Sequence, residues 1–431
     1  MRALVFGVDP EPADPTLAAS DNHLVRNLAL TPMALTDVPE PAPLADDWVV
    51  LRPRMTGICG SDAKQVFMET DGDASDFSLT AFLSFPQVLG HEVVGDVTAV
   101  GSAVTTVGVG DRAALNCWLS CVPRGIHPVC PACAAGDLSL CWNFTRGRLA
   151  PGIHSGTSSD GTGGFADALP AHESMLIPVP DDVTDEAAVL ADPFAVSLHA
   201  VTRHPPQPGG RALVWGAGAL GTTTIAILRS LHPDVEVITV ALHPAQQDLA
   251  RSFGARVVDA SREPRAIVEE LATMTDATLH EPWKGLPLAH PGTIDITYDT
   301  IGKPSTIETA LRMMASRGSI VVSGVSAAGR FEWSPWYFKE INIVGSNAFG
   351  VEEIDGVRRH AISHYFDLVG TGRIDITPML THTFHLEDWR AAFRTLADQH
   401  DTGAVKVAFD FRHDSDSRLP HRSRNHEDID E

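Results

Sequence analysis

Short runs of alternating apolar and polar residues, broken by prolines, open the chain. Residues 1–8 and 48–51 read as strands, residues 88–110 continue the pattern to a turn at Gly110, Asp111 and Arg112, and the amino-terminal part is therefore β-rich. Beyond it the period changes. A short apolar strand at residues 211–215 runs directly into Gly216, Ala217, Gly218, Ala219, Leu220 and Gly221, which open a helix to residue 231. Strands at 235–240, 294–298 and 319–322 then alternate with helices at 246–253 and 305–315, which is the pattern of a doubly wound parallel sheet. Residues 341–346 lead back towards the first domain, helices are expected at 351–370 and 386–396, and 405–411 is a closing strand. Residues 9–30, 69–78 and 150–164 read as loops, and the charged tail 412–431 as disordered. The aromatic stretch 331–338, with Trp333, Trp336 and Tyr337, suits packed core, a pocket wall or a subunit contact.

A chain of 431 residues is long enough for two cores. Its formal charge of −23 argues against nucleic acid or an anionic membrane surface as partner. With no apolar run long enough to span a bilayer and no signal-like opening, a cytoplasmic protein is expected. All 6 cysteines fall between Cys59 and Cys141, and in a reducing compartment such clustering reads as metal binding before it reads as disulfides.

Cys59 sits in the glycine-flanked run Gly57, Ile58, Cys59, Gly60, Ser61, Asp62, and the pair His91 and Glu92 follows downstream. A thiolate, an imidazole and carboxylates suit Zn²⁺, and three protein ligands leave the open position of a catalytic site. Taken singly, Cys59 is a buried small hydrophobe, His91 a core histidine, and Asp62 and Glu92 surface charges. The combination outweighs those readings. Downstream, Cys130, Cys133 and Cys141 have the close spacing of a structural zinc site, with His127 or Cys121 as fourth ligand. Gly216, Gly218 and Gly221, between strand and helix, allow a tight turn, backbone approach to a pyrophosphate and close helix packing. The second strand ends not in a carboxylate but in Ala241, with His243 beyond, which tilts the balance towards NADP over NAD.

Gly-Ile-Cys-Gly-Ser-Asp and Gly-His-Glu resemble the catalytic-zinc motifs of the zinc-dependent medium-chain alcohol and polyol dehydrogenases. The resemblance implies an α/β fold: a GroES-like β-rich catalytic domain (residues 1–193 and 347–411) plus a Rossmann domain with a doubly wound parallel sheet (194–346). It implies Cys59 and His91 as zinc ligands, with the third ligand at Asp192 ahead of Glu92. An N-cap role for Asp192 before Pro193 competes. Ser61 matches the hydroxyl that passes the substrate proton outward, and Asp62 the group that orients His91. Lys64 stands where liver-type members have a histidine, so the outer relay differs. Asp299 and Gly302 resemble the family's strand-end turn near the nicotinamide. The activity implied is hydride transfer between an alcohol or polyol CH–OH, or its carbonyl, and NAD(P), by a homodimer or homotetramer. The rivals are a zinc-free quinone-type reductase of the same fold and a catalytically silent dinucleotide-binding protein.

Overall fold

The structure, a computed structural model, describes residues 1–69, 78–326 and 329–412. Two sheet systems organise it. In the first, strands run in the order Leu380–Phe384, Lys406–Asp410, Trp48–Gly57, Glu92–Val100, Arg112–Leu115 and Leu176–Pro178, with Leu169–His172 also paired to Trp48–Gly57. Trp48, Val49 and Leu51 are buried, as are Val93, Val94 and Val97 of the adjacent strand. A three-stranded sheet of Met33–Asp37, Arg2–Phe6 and Gln87–Val88 closes this region.

The second sheet has six strands in the order Arg256–Asp259, Glu236–Ala241, Arg211–Trp215, Ile294–Asp299, Met314–Val322 and Asn342–Gly345. All its pairings are parallel. In chain order this is 3-2-1-4-5-6, and the order reverses beside Arg211–Trp215, where ligands bind in such sheets. Ala212, Leu213 and Val214 are fully buried, which explains their continuous apolar run. Gly216 turns the chain out of that strand at φ +91°, and a Cβ on Gly221 would overlap the Gly216 carbonyl. A Cβ on Gly218, the N-cap of helix Ala219–Leu231, would meet only Gln246 Nε2, at 3.9 Å.

The helix Ala191–Arg203 joins the two systems. Its Ser197 hydroxyl bonds the Leu220 carbonyl at 2.9 Å and lies 2.6 Å from the Thr223 hydroxyl, so it packs on the helix that follows the glycine turn.

The fold departs from the sequence-based expectations in several places. Residues 9–30 contain two short helices, Pro15–Ala18 and His23–Leu28, because Asp14 and Asn22 cap them and Val25 and Leu28 find a core. Residues 351–370 are not one helix. Asp355 and Gly356, both at positive φ, turn a hairpin of Val351–Ile354 and Val357–His360 before helix Ala361–Gly370. The predicted helix 305–315 is Pro304–Met313, and Met314 already begins the next strand. The aromatics at 331–338 are mostly not core: Trp333, Trp336, Tyr337 and Phe338 are exposed. Of the tail, Arg412 is held by Asp410 and Glu186, and 413–431 lies outside the described residues, as do 70–77 of the loop expected at 69–78. Among the described residues no helix is long and apolar enough to cross a membrane.

Candidate active site

Strand register assembles the first cluster. Gly57 pairs with Glu92 on one side and with Ala408 on the other, so the end of Trp48–Gly57, the start of Glu92–Val100 and the strand carrying Lys406 converge. Cys59 follows the first by two residues and His91 immediately precedes the second. Ligand atoms of Cys59, His91 and Glu92 lie within 4.8 Å of one another. A Cβ on Gly57 would overlap the Glu92 carboxylate and press on Lys406, so glycine keeps this space clear for the pair.

Asp62 stitches the two loops. One carboxylate oxygen accepts the Cys59 amide at 3.0 Å, while the other is 3.4 Å from the Gly90 amide and 3.6 Å from His91 Nδ1. Burial works against charge on both partners. Asp62 is nevertheless lowered, by His91 and the Cys59 amide, and His91 is raised well above the ordinary histidine value by Asp62 and Cys59. Ser61 is exposed in the first turn of helix Gly60–Val66. Lys64, one turn on and half-buried, donates to the Val325 carbonyl just beyond the end of strand Met314–Val322. Burial lowers its pKa.

The close group contains Glu92 in place of Asp192, the reverse of the order expected from sequence. Glu92 is carried in by the register, whereas Asp192 sits in the first turn of helix Ala191–Arg203, where its carboxylate is 3.7 Å from the Cys117 thiol. Nor is Asp192 the N-cap, which is Leu190. Burial pushes Asp192 up to about 7, with the charges of His91, Glu92 and Lys406 acting on it. The Lys406 ammonium is fully buried, paired with Glu92 and bonded to the Ile58 carbonyl at 2.9 Å.

The second cluster is Cys121, Cys130, Cys133 and Cys141, whose sulfurs are likewise within 4.8 Å of one another. Cys121, not His127, is the fourth member. His127 is exposed, while the Cys121 sulfur accepts the Cys130 amide at 3.3 Å and lies 3.6 Å from the Cys141 sulfur. Zinc–sulfur bonds of ~2.3 Å in a tetrahedron give sulfur–sulfur edges of about 3.8 Å, so the four thiols fit such an ion. A hydrogen bond from Cys141 lowers Cys133 to about 5, which readies one thiolate. The first cluster fits zinc by its chemistry, one soft sulfur, one imidazole and one carboxylate in a largely buried setting.

Three residues here were not singled out from the sequence. His154 lies in the loop 150–164; its ring centroid is 4.4 Å from that of His91, and Trp118 meets it edge-on. Its Nδ1 bonds the Ser155 carbonyl at 2.8 Å, so that nitrogen carries the hydrogen and Nε2 is an acceptor. Burial and the His91 charge lower it to about 3. Lys406 was hidden in an apolar strand, where a lone lysine was itself the signal. Cys117 was passed over as a neighbour of the cysteine lobe.

At the dinucleotide end, Gly216, Ala217, Gly218, Ala219, Leu220 and Gly221 form the turn and first helical residues at the reversal point. Ala241 is buried at the end of its strand, and His243 is the N-cap residue of Pro244–Ser252, its ring 6.2 Å from that of His400. The Gly302 amide bonds Asp299 at 2.9 Å, and Gly302 has φ +72° with a Cβ blocked by Gly324.

A β-rich domain with a buried metal-ligand group, joined by one helix to a parallel sheet with a dinucleotide turn, defines a metal-dependent dehydrogenase. Residues 45–181 match the alcohol dehydrogenase GroES-like domain and 219–363 the zinc-binding dehydrogenase domain. The chain is 29% identical over 387 residues to the (R,R)-butanediol dehydrogenase of Saccharomyces cerevisiae, covering 86% of this chain and 93% of that one. It is 24% identical over 378 residues to the sorbitol dehydrogenase of Bacillus subtilis, covering 87% and 92%. The fold of 2R,3R-butanediol dehydrogenase from Bacillus subtilis superposes with a TM-score of 0.70 at 20% identity, covering 95% of this chain and 99% of that one. The chain belongs to the zinc-dependent medium-chain dehydrogenase family, and it is an NAD(P)-linked oxidoreductase of the alcohol and polyol type.

Proposed function

We propose that the chain oxidises a vicinal diol or polyol, or reduces the corresponding hydroxyketone, at the Cys59 cluster. The observation that carries this is the convergence of Cys59, His91 and Glu92 at adjoining strand ends, beside a helix that packs on the dinucleotide turn. The butanediol and sorbitol dehydrogenases named above supply the substrate class. In this reading residues 1–193 and 347–411 hold metal and substrate, and 194–346 hold NAD(P).

Bound zinc supplies Lewis-acid polarisation of the substrate oxygen, and bound NAD(P) supplies the hydride acceptor. Cys59 and His91 are two of the ligands. Asp192 is taken as the third, although it stands outside the 4.8 Å group, because Glu92 is paired with Lys406 while Asp192 Oδ1 makes no hydrogen bond among the described residues. Asp62, 3.6 Å behind His91 Nδ1, orients that ring and raises the basicity of its ligand nitrogen through its charge. Ser61, being exposed, relays the hydroxyl proton to solvent, accepting it as its own hydroxyl proton leaves. Cys121, Cys130, Cys133 and Cys141 hold a structural zinc. The absence of a carboxylate at Ala241 and the presence of His243 favour NADP. The sheet edge Asn342–Gly345, beside the exposed Trp336, Tyr337 and Phe338, supports a homodimer built on that edge.

The test is a panel of vicinal diols, polyols and simple alcohols with NADP and NAD on zinc-loaded protein. Nicotinamide reduction with a diol or polyol, lost in Cys59→Ala, is expected. No turnover across the panel with two zincs bound would favour the silent dinucleotide-binding reading.

A further inference from the structure

Cys117 belongs to no cluster of mutually close ligand atoms among the described residues. It is 1% exposed, as buried as the core around it, yet its sulfur is 3.7 Å from Asp192 Oδ2. Of these two atoms the thiol carries the proton, so Cys117 is the donor and the carboxylate the acceptor. Asp192 itself is 6% exposed and makes no other hydrogen bond among the described residues. One of its oxygens is therefore fixed and the other is left for a cation.

Fixing that oxygen matters because the aspartate side chain has two torsions, and its carboxylate plane has a broad rotational range about the second. A carboxylate pinned through one oxygen presents the other in a defined direction. Its backbone is rigid as well, in the first turn of Ala191–Arg203, while Cys117 follows strand Arg112–Leu115 of the neighbouring sheet. The bond thus runs between two elements whose relative placement is set by packing. Groups that hydrogen-bond a ligand from behind in this way change metal affinity about 10–100-fold when removed.

We propose that Cys117 is a positioning residue for the catalytic metal, its thiol orienting Asp192 as the third ligand. The inference rests on Asp192 being a ligand, as proposed above. It is tested by titrating full-length protein with buffered free zinc and counting zinc per chain by emission spectroscopy. Wild type is compared with Cys117→Ala, Cys117→Ser and Asp192→Ala, and circular dichroism checks each fold. The visible spectrum of the cobalt-substituted proteins reports the ligand geometry independently of turnover. Cys117→Ala is expected to need about 10–100-fold more free zinc to fill the catalytic site, with an altered cobalt spectrum. Cys117→Ser, whose hydroxyl also donates, should return most of the affinity. Wild-type affinity and spectrum in Cys117→Ala, with zinc lost in Asp192→Ala, would overturn the role of Cys117 and leave Asp192 a ligand. Equal weakness of the alanine and serine variants would also overturn it, by showing that sulfur bulk and not the hydrogen bond matters. Wild-type zinc binding by Asp192→Ala would remove the ligand reading itself, and this inference with it.

Discussion

Asp62 shows how closely residue chemistry and local geometry are joined: one carboxylate holds the Cys59 amide and faces both Gly90 and His91, binding the two ligand loops into one unit. Much of this was legible in the sequence, because Cys59, Ser61, Asp62, His91 and Glu92 lie in short runs whose spacing is itself the signal. Cys117, His154 and Lys406 were not legible. They come from separate elements, and only strand register and the course of a loop bring them to the cluster. Gly221→Ala tests the dinucleotide end at the same scale. Its Cβ would overlap the Gly216 carbonyl, so the turn must open. At least a tenfold weaker NAD(P) affinity by fluorescence titration is expected, with two zincs retained per chain. Unchanged cofactor affinity would remove this turn from the cofactor site.

Elements carry the next set of consequences. Asp355 and Gly356 were a readable hairpin signal that a long apolar-periodic stretch concealed, and the strand they create ends at His360. His360 caps helix Ala361–Gly370, its Nδ1 accepting the Ile362 amide at 3.2 Å, and burial lowers it to about 4. Since the unfolded histidine titrates near ~6.5, the unfolded chain binds a proton in this window that the folded chain does not. Stability therefore falls as pH drops from ~6.5 towards 4 and levels off below it, by up to about 3 kcal/mol from this group. His360→Asn keeps a capping side chain and removes the titration, so its denaturant midpoint should fall less steeply across that window. An unchanged slope would contradict the assignment.

The loop that carries His154 is organised by another buried group. Arg124, 1% exposed, donates to the carbonyls of Leu119, Arg146, Leu149, Ala150 and Gly152. Arg124→Leu leaves those acceptors without their donor, at a cost of about 3 kcal/mol or more. The expected result is a lowered denaturation midpoint together with a changed KM for substrate, as the loop shifts His154 against His91. A variant as stable as wild type would mean the carbonyls find other donors.

At the scale of the whole molecule, two sheets with different grammars share the work. The alternation of strands and helices after Arg211 announced the parallel sheet, and the glycine turn marked its reversal point. The amino-terminal region was legible as β-rich but not as a particular strand order, because antiparallel register depends on pairings between distant segments, such as Gly57 with Ala408. The fourth member of the cysteine lobe was undecided for the same reason. Spacing offered both His127 and Cys121, and the chain path leaves the His127 side chain exposed while it brings Cys121 back to Cys141. Under the proposed function the molecule holds two zinc ions, one for chemistry and one for structure. Zinc per chain, measured by emission spectroscopy on wild type, Cys59→Ala and Cys130→Ala, tests it most directly. Two are expected in wild type and one in each variant, with dehydrogenase activity lost in Cys59→Ala. No zinc in wild-type protein purified without chelators would contradict it.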